Sequence, residues 1–122
     1  MKKYSLRFRL VETQALGAGN HLLRLVLPRE AGDFPEMRPG QFVQVAVPGG
    51  FVLLRRPISI CNVLPEQREL WLLIARVGTG TSVLTQLPDG TELSLLLPLG
   101  NTFPMEGVQR PLLIGGGVGI AP

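Results

Sequence analysis

The sequence predicts an all-β fold: an antiparallel barrel of about six short strands carrying one short helix. Three observations predict it. Apolar and polar residues alternate at period two in segment after segment, as in strands with one wet face. Glycine, proline and asparagine separate those segments at regular spacing, supplying the turns. Only one stretch carries helical periodicity. Evenly spaced strands around a single short helix argue for closure into a barrel.

In the first strand Leu6, Phe8 and Leu10 alternate with Arg7, Arg9 and Val11, and the arginines mark the wet face. A turn at Gly17-Ala18-Gly19-Asn20 leads to a second strand, with Leu23, Leu25 and Leu27 inward and Arg24 outward. Residues 29–39 read as a polar loop punctuated by Gly32, Pro35 and Pro39. Pro39-Gly40 launches a β-branched, alternating third strand over 41–47, which Pro48-Gly49-Gly50 ends. Strands follow over 57–63 and 70–77, separated by the polar turn Pro65-Glu66-Gln67-Arg68. The helix is expected over 81–87. Thr81 or Ser82 serves as N-cap, Val83, Leu84 and Leu87 form the apolar side, and Pro88 stops it. Pro88-Asp89-Gly90 turns into the last strand, with Leu93, Leu95 and Leu97 inward.

The end of the sequence has a different character. Pro111-Leu112-Leu113-Ile114 is a continuous apolar run, as in a parallel strand buried on both faces. Gly115-Gly116-Gly117-Val118-Gly119 follows at once, and a strand feeding a glycine-rich turn is how a dinucleotide-binding α/β unit opens. A lone parallel strand cannot bury both faces. The expected division is therefore a barrel domain over 1–107 and, over 108–122, the first strand and Gly-rich turn of a truncated α/β nucleotide-binding domain.

Composition limits what the chain can do. With 122 residues it has room for one core, and 45% hydrophobic content suits a globular protein. No apolar run approaches the roughly 18 residues of a membrane span. Arg7, Arg9 and Glu12 interrupt any signal-peptide core after Lys2-Lys3, so no membrane association and a cytoplasmic location are expected. The single Cys61 excludes a disulfide framework or a local multi-cysteine metal site, and reads as a small buried hydrophobe. His21, beside a turn, reads as exposed and uninvolved. The net charge of +3 invites a nucleic-acid reading, but the basic residues are scattered and only Phe8 lies among them, so no nucleic-acid partner is expected.

Two stretches carry candidate chemistry. In Arg55-Arg56-Pro57-Ile58-Ser59-Ile60 the adjacent arginines point to opposite strand faces, so at most one reaches any single site. Pro57 removes a ladder donor, which makes this strand an edge, a start or a bulge. An arginine there can grip a phosphate with two parallel hydrogen bonds, or simply stand solvated on an edge strand. Gly78-Thr79-Gly80-Thr81-Ser82 lies between a strand and a helix start, where backbone N–H groups and the helix dipole favour an anion. A flexible turn with an ordinary cap explains it equally well. One diphosphate could touch both stretches.

Together these residues resemble a family. Arg56-Pro57-Ile58-Ser59, Gly80-Thr81, the run from Leu97 to Phe103 and the run from Gly115 to Pro122 occur in the order and spacing of ferredoxin–NADP reductase-type flavoproteins. Pro39-Gly40-Gln41-Phe42 looks like a barrel turn of that family. Ile58, where most branches carry an aromatic, together with Cys61 resembles the branch of bacterial dihydroorotate dehydrogenase electron-transfer subunits.

The resemblance implies a six-stranded Greek-key FAD-binding barrel. Arg56 and the backbone of Pro57, Ile58 and Ser59 would hold the flavin, with Ser59 near its N5 edge and Ile58 packed on the isoalloxazine. Gly80 and Thr81 would bind the diphosphate. Leu73, Ile74 and Ala75 would line the adenosine arm, mainly through their backbone. Relatives often carry an aromatic and an arginine at positions 74 and 75; here the arginine is Arg76, on the opposite face, and it is expected at the surface.

The resemblance also implies a role in pyrimidine biosynthesis. Electrons from dihydroorotate oxidation, on a catalytic FMN-containing subunit in a heterotetramer, pass through a 2Fe-2S cluster and FAD to NAD. The cluster and NAD belong only to a full-length protein. Two other readings stand beside this one. They are the FAD domain of another NAD(P)H-dependent flavin or ferredoxin-type reductase, and a non-catalytic β-barrel binding module.

Overall fold

The computed structural model describes residues 3–49 and 54–100. It contains six strands: β1 (Tyr4–Gly17), β2 (Asn20–Val26), β3 (Phe42–Val45), β4 (Arg56–Leu64), β5 (Glu69–Ala75) and β6 (Glu92–Leu99). One helix, α1 (Thr79–Leu84), lies between β5 and β6. The strands close into an antiparallel barrel in the order β1-β2-β5-β4-β3-β6, a Greek-key path in which the chain leaves β2 and returns beyond β5 and β4 as β3. The strand and glycine-rich turn expected in 108–122 lie outside the described residues.

Alternation decides which side chains enter the barrel. Phe8 and Leu10 of β1, Leu23 and Leu25 of β2, and Leu93 and Leu95 of β6 are all buried, while Arg7, Arg9 and Val11 are exposed. Phe8 meets Phe34 edge-on, ring centroids 6.3 Å apart, so the 27–41 loop folds back over one barrel end. On the outer face Arg24 donates from Nε to Glu69 Oε1 at 2.6 Å, and Trp71 Nε1–H reaches the same oxygen at 2.8 Å. This network ties β2 to β5.

The helix differs from expectation at its start. It begins at Thr79, two residues before the expected cap, with Gly78 in the N-cap position. Thr81 sits inside the first turn, and its hydroxyl reaches back to accept from the Gly78 N–H at 3.0 Å. Sequence reading located a capping hydroxyl correctly but placed it in the wrong position. Leu84 is fully buried and belongs to the barrel core, so α1 is anchored by its own apolar side chain.

Candidate functional site: a cleft where two strands separate

The strand β4 changes partner along its length. From Ile60 to Leu64 it pairs with β5, beginning at Ile60↔Leu72. From Arg56 to Ser59 it pairs only with β3, opposite Val45 to Phe42. Over the matching stretch of β5, Leu73 to Ala75 pair with Leu22 to Asn20 of β2. The two strands therefore separate toward one end of the barrel. Pro57 falls in the separated half, where its missing N–H costs no β4–β5 bond. The chain leaving β5 then crosses this end as the 77–80 turn and enters α1.

The adjacent arginines take opposite roles there. Arg55 donates to Gln44 O at 3.3 Å, Ser94 O at 3.1 Å and Ser94 Oγ at 3.2 Å, binding β3 to β6. Arg56 makes no hydrogen bond or ion pair with any described residue. Its aliphatic stem lies across Gly80: a Cβ placed there would stand 3.2 Å from Arg56 Cγ and Cδ and 3.6 Å from Val47 Cγ2. Arg56, Val77, Gly78, Thr79, Gly80 and Thr81 enclose a cleft of about 310 Å³. An uncommitted guanidinium beside glycine-opened backbone suits a phosphate-bearing group. The residues fit a diphosphate.

The structure brings three sequence-predicted residues together in this cleft: Arg56, Gly80 and Thr81. Pro57 and Ser59 are exposed on the outer face of β4. Ile58 departs from expectation. Its side chain is 9% exposed and belongs to the core with Val43 and Ile60, because residues 58 and 60 share the inner face. It can offer an outside ligand backbone but not a packing side chain. Ile74 is likewise turned inward, while Leu73 and Ala75 are half-buried on the outer side. Arg76 is exposed and donates from Nε to Ser82 Oγ at 3.3 Å.

Sequence reading did not single out Val47 or Val77. Val77 is 80% exposed, an unusual position for a valine beside a polar cleft, and no local pattern marks it. Cys61 is half-buried, and desolvation raises its thiol pKa. His21 is half-buried, with Nδ1 3.2 Å from Gly19 O. Among the described residues no three His, Cys, Asp or Glu side chains converge on a metal position, and no helix is long and apolar enough to cross a membrane.

The barrel, its order and its single helix define the class: this is the flavin-domain barrel of ferredoxin reductase-type proteins. A ferredoxin reductase from a carbazole 1,9a-dioxygenase system superposes with a TM-score of 0.83 at 24% identity, covering 99% of this chain and 37% of that one. Phthalate dioxygenase reductase superposes at 0.68 with 23% identity, over 84% of this chain and 32% of that one. At these identities the match speaks for the fold alone.

Sequence similarity narrows the relationship. Over 88 residues the chain is 47% identical to the dihydroorotate dehydrogenase B (NAD(+)) electron transfer subunit of Bacillus cereus strain Q1. The same subunit of Bacillus anthracis strain A0248 matches at the same identity and length. Each alignment takes in 69% of this chain and 34% of the relative. The chain is thus a homologue of dihydroorotate dehydrogenase B electron transfer subunits, spanning about a third of their length. No family model matches the sequence.

Proposed function

We propose that this chain is the FAD-binding portion of a dihydroorotate dehydrogenase-type electron-transfer subunit. Residues 1–107 form the flavin domain, and residues 108–122 open an NAD-binding α/β domain. The whole protein works in the cytoplasm, in a heterotetramer with a catalytic FMN-containing subunit. It passes electrons from dihydroorotate oxidation to NAD in pyrimidine biosynthesis, with a 2Fe-2S cluster alongside FAD. The 47% identity to subunits of that name supports the pathway.

The observation that carries the flavin reading is the uncommitted Arg56 lying over Gly80 in a cleft between separated strands. Bound FAD supplies the electron-carrying chemistry; this chain binds and orients it. Arg56 grips the diphosphate with its planar fork, and Gly80 keeps the backbone open to it. Thr81 shapes the same turn. The open edge at Pro57, Ile58 and Ser59 receives the ring system through backbone and the Ser59 hydroxyl. Leu73, Ile74 and Ala75 flank the adenosine arm. No side chain is assigned a proton-transfer role.

The test is a titration of the purified chain with FAD, followed by flavin fluorescence and visible absorbance. Arg56→Ala is expected to weaken binding about 10–100-fold, the loss of charge-assisted hydrogen bonds of roughly 1.5–3 kcal/mol. Arg55→Ala leaves the affinity of the folded protein within about threefold, since its donors face β3 and β6. Equal losses would remove Arg56 from the site. Protein that retains neither FAD nor FMN after refolding with an excess of both would sink the flavin reading altogether.

A further inference from the structure

We infer that Thr81 is a positioning residue: its hydroxyl braces the 77–80 turn from behind and does not touch the ligand. The inference rests on the flavin reading and specifies how the cleft is kept in shape.

A threonine hydroxyl has one proton to donate and two lone pairs to accept with. At Thr81 all three are in use. Its Oγ1 accepts from the Val77 N–H at 2.9 Å and the Gly78 N–H at 3.0 Å, and it donates to the Gly78 carbonyl at 3.2 Å. The side chain is buried, at 6% exposure. A phosphate oxygen could gain this hydroxyl only by displacing a bond already made within the turn. The neighbouring interactions hold the brace itself in place. Thr85 Oγ1 donates to Thr81 O at 3.0 Å, the Ser82 N–H reaches Gly78 O at 2.9 Å, and Leu84 fixes the helix to the core.

The turn needs such a brace. It follows the last paired residue of β5, Ala75, and contains two glycines, the residues that lose most freedom on ordering. Val77 is held 80% exposed at the rim of the cleft, with its own N–H bonded inward to Thr81. Gly80 must stay under the Arg56 stem, at a separation that leaves no slack for drift. The hydroxyl thus acts on the ligand through Val77, Gly78 and Gly80.

Amide exchange on the free protein, combined with FAD titration, tests this. In the wild type the Val77 and Gly78 amides are expected to exchange more slowly than that of Thr79, a result that needs no variant. Thr81→Val should raise exchange at Val77 and Gly78 and weaken FAD roughly tenfold, from two orphaned donors. Thr81→Ser, which keeps the hydroxyl, should restore both within about twofold. Weaker FAD binding with unchanged exchange would mean direct contact with the ligand and overturn the inference while leaving the flavin reading intact. Faster exchange with unchanged affinity would overturn it too, by removing the turn from the site. If wild-type protein with slow Val77 and Gly78 amides binds no FAD, the flavin reading fails, and the ligand-directed role of Thr81 fails with it. Should Thr81→Val not fold, fast exchange at Val77 and Gly78 in the wild type, or loss of FAD affinity in Thr81→Ser, refutes the brace.

Discussion

From Ile60 to Leu64, β4 lies in register against β5; from Arg56 to Ser59 the same strand lies against β3, leaving β5 to β2. The two halves treat charge differently. In the joined half Glu69 is buried with Arg24 on one side and the Trp71 indole on the other, and Arg24 also reaches Glu12 at 3.3 Å. In the separated half Arg56 has no partner among the described residues, although Arg55 beside it is committed to three acceptors. One strand pair thus serves as structure at one end and leaves donors available at the other. A barrel tolerates such a local opening because closure elsewhere, β6 against β1, keeps the circuit intact.

The comparison can be broken most forcefully at its hinge. Leu72 is fully buried and pairs with Ile60 on the first joined rung. Leu72→Ala is expected to cost about 2–5 kcal/mol in chemical denaturation, as deletions in a packed core do. A loss below about 1 kcal/mol would mean that the rung does not hold the two halves together. Arg55→Ala comes next, with about 1–2 kcal/mol lost from its bonds to Gln44 and Ser94. A denaturation midpoint equal to that of the wild type would show Arg55 to be as uncommitted as Arg56.

Gly80→Ala sharpens the separated half. The added methyl forces the Arg56 stem aside by a few tenths of an ångström, since Arg56 is flexible and Val47 is not. FAD affinity should fall several-fold, by roughly 1 kcal/mol, with the melting temperature nearly unchanged. A melting temperature that falls along with affinity would place the strain in the barrel instead.

The smallest expected effect is a pH dependence in the joined half. The hydrogen bond from Arg24 holds the Glu69 carboxyl below the usual carboxylate range, against the opposing effect of burial and with help from Trp71. A depressed folded-state pKa means the pair stabilises above the unfolded carboxylate value, and this contribution is lost as pH falls through the folded value. Glu69→Gln should therefore flatten the acid limb of a stability–pH curve measured by thermal melting. Parallel curves for both proteins would show that the pair contributes nothing to acid sensitivity.

Much of the fold is legible in the sequence. Six strands and one helix, in order, follow from alternation and turn residues, because half-buried strands must alternate. The opposite facing of Arg55 and Arg56 follows from the same rule. Ile58 illustrates the limit. A family resemblance aimed its side chain at a ligand, yet the local period puts it with Ile60 inside the barrel. Thr81 illustrates another: a hydroxyl near a helix start reads as an N-cap, and only the three-dimensional turn shows it reaching back from within the helix. Arg68 reads as a member of a polar turn; in the fold its guanidinium holds the carbonyls of Leu27, Pro28 and Gly32, about forty residues away.

The sequence by itself determined the strand count, the inward and outward faces, and a short list of groups able to meet a phosphate. Those depend on neighbours one to four residues apart, where covalent geometry dictates direction. Only the tertiary structure decided that β4 exchanges β5 for β3 at Ser59, that Gly80 comes to lie beneath Arg56, and that Arg56 rather than Arg55 is left uncommitted. Strand partnership depends on segments far apart in the chain, and periodicity reports which face is dry without saying which strand lies alongside.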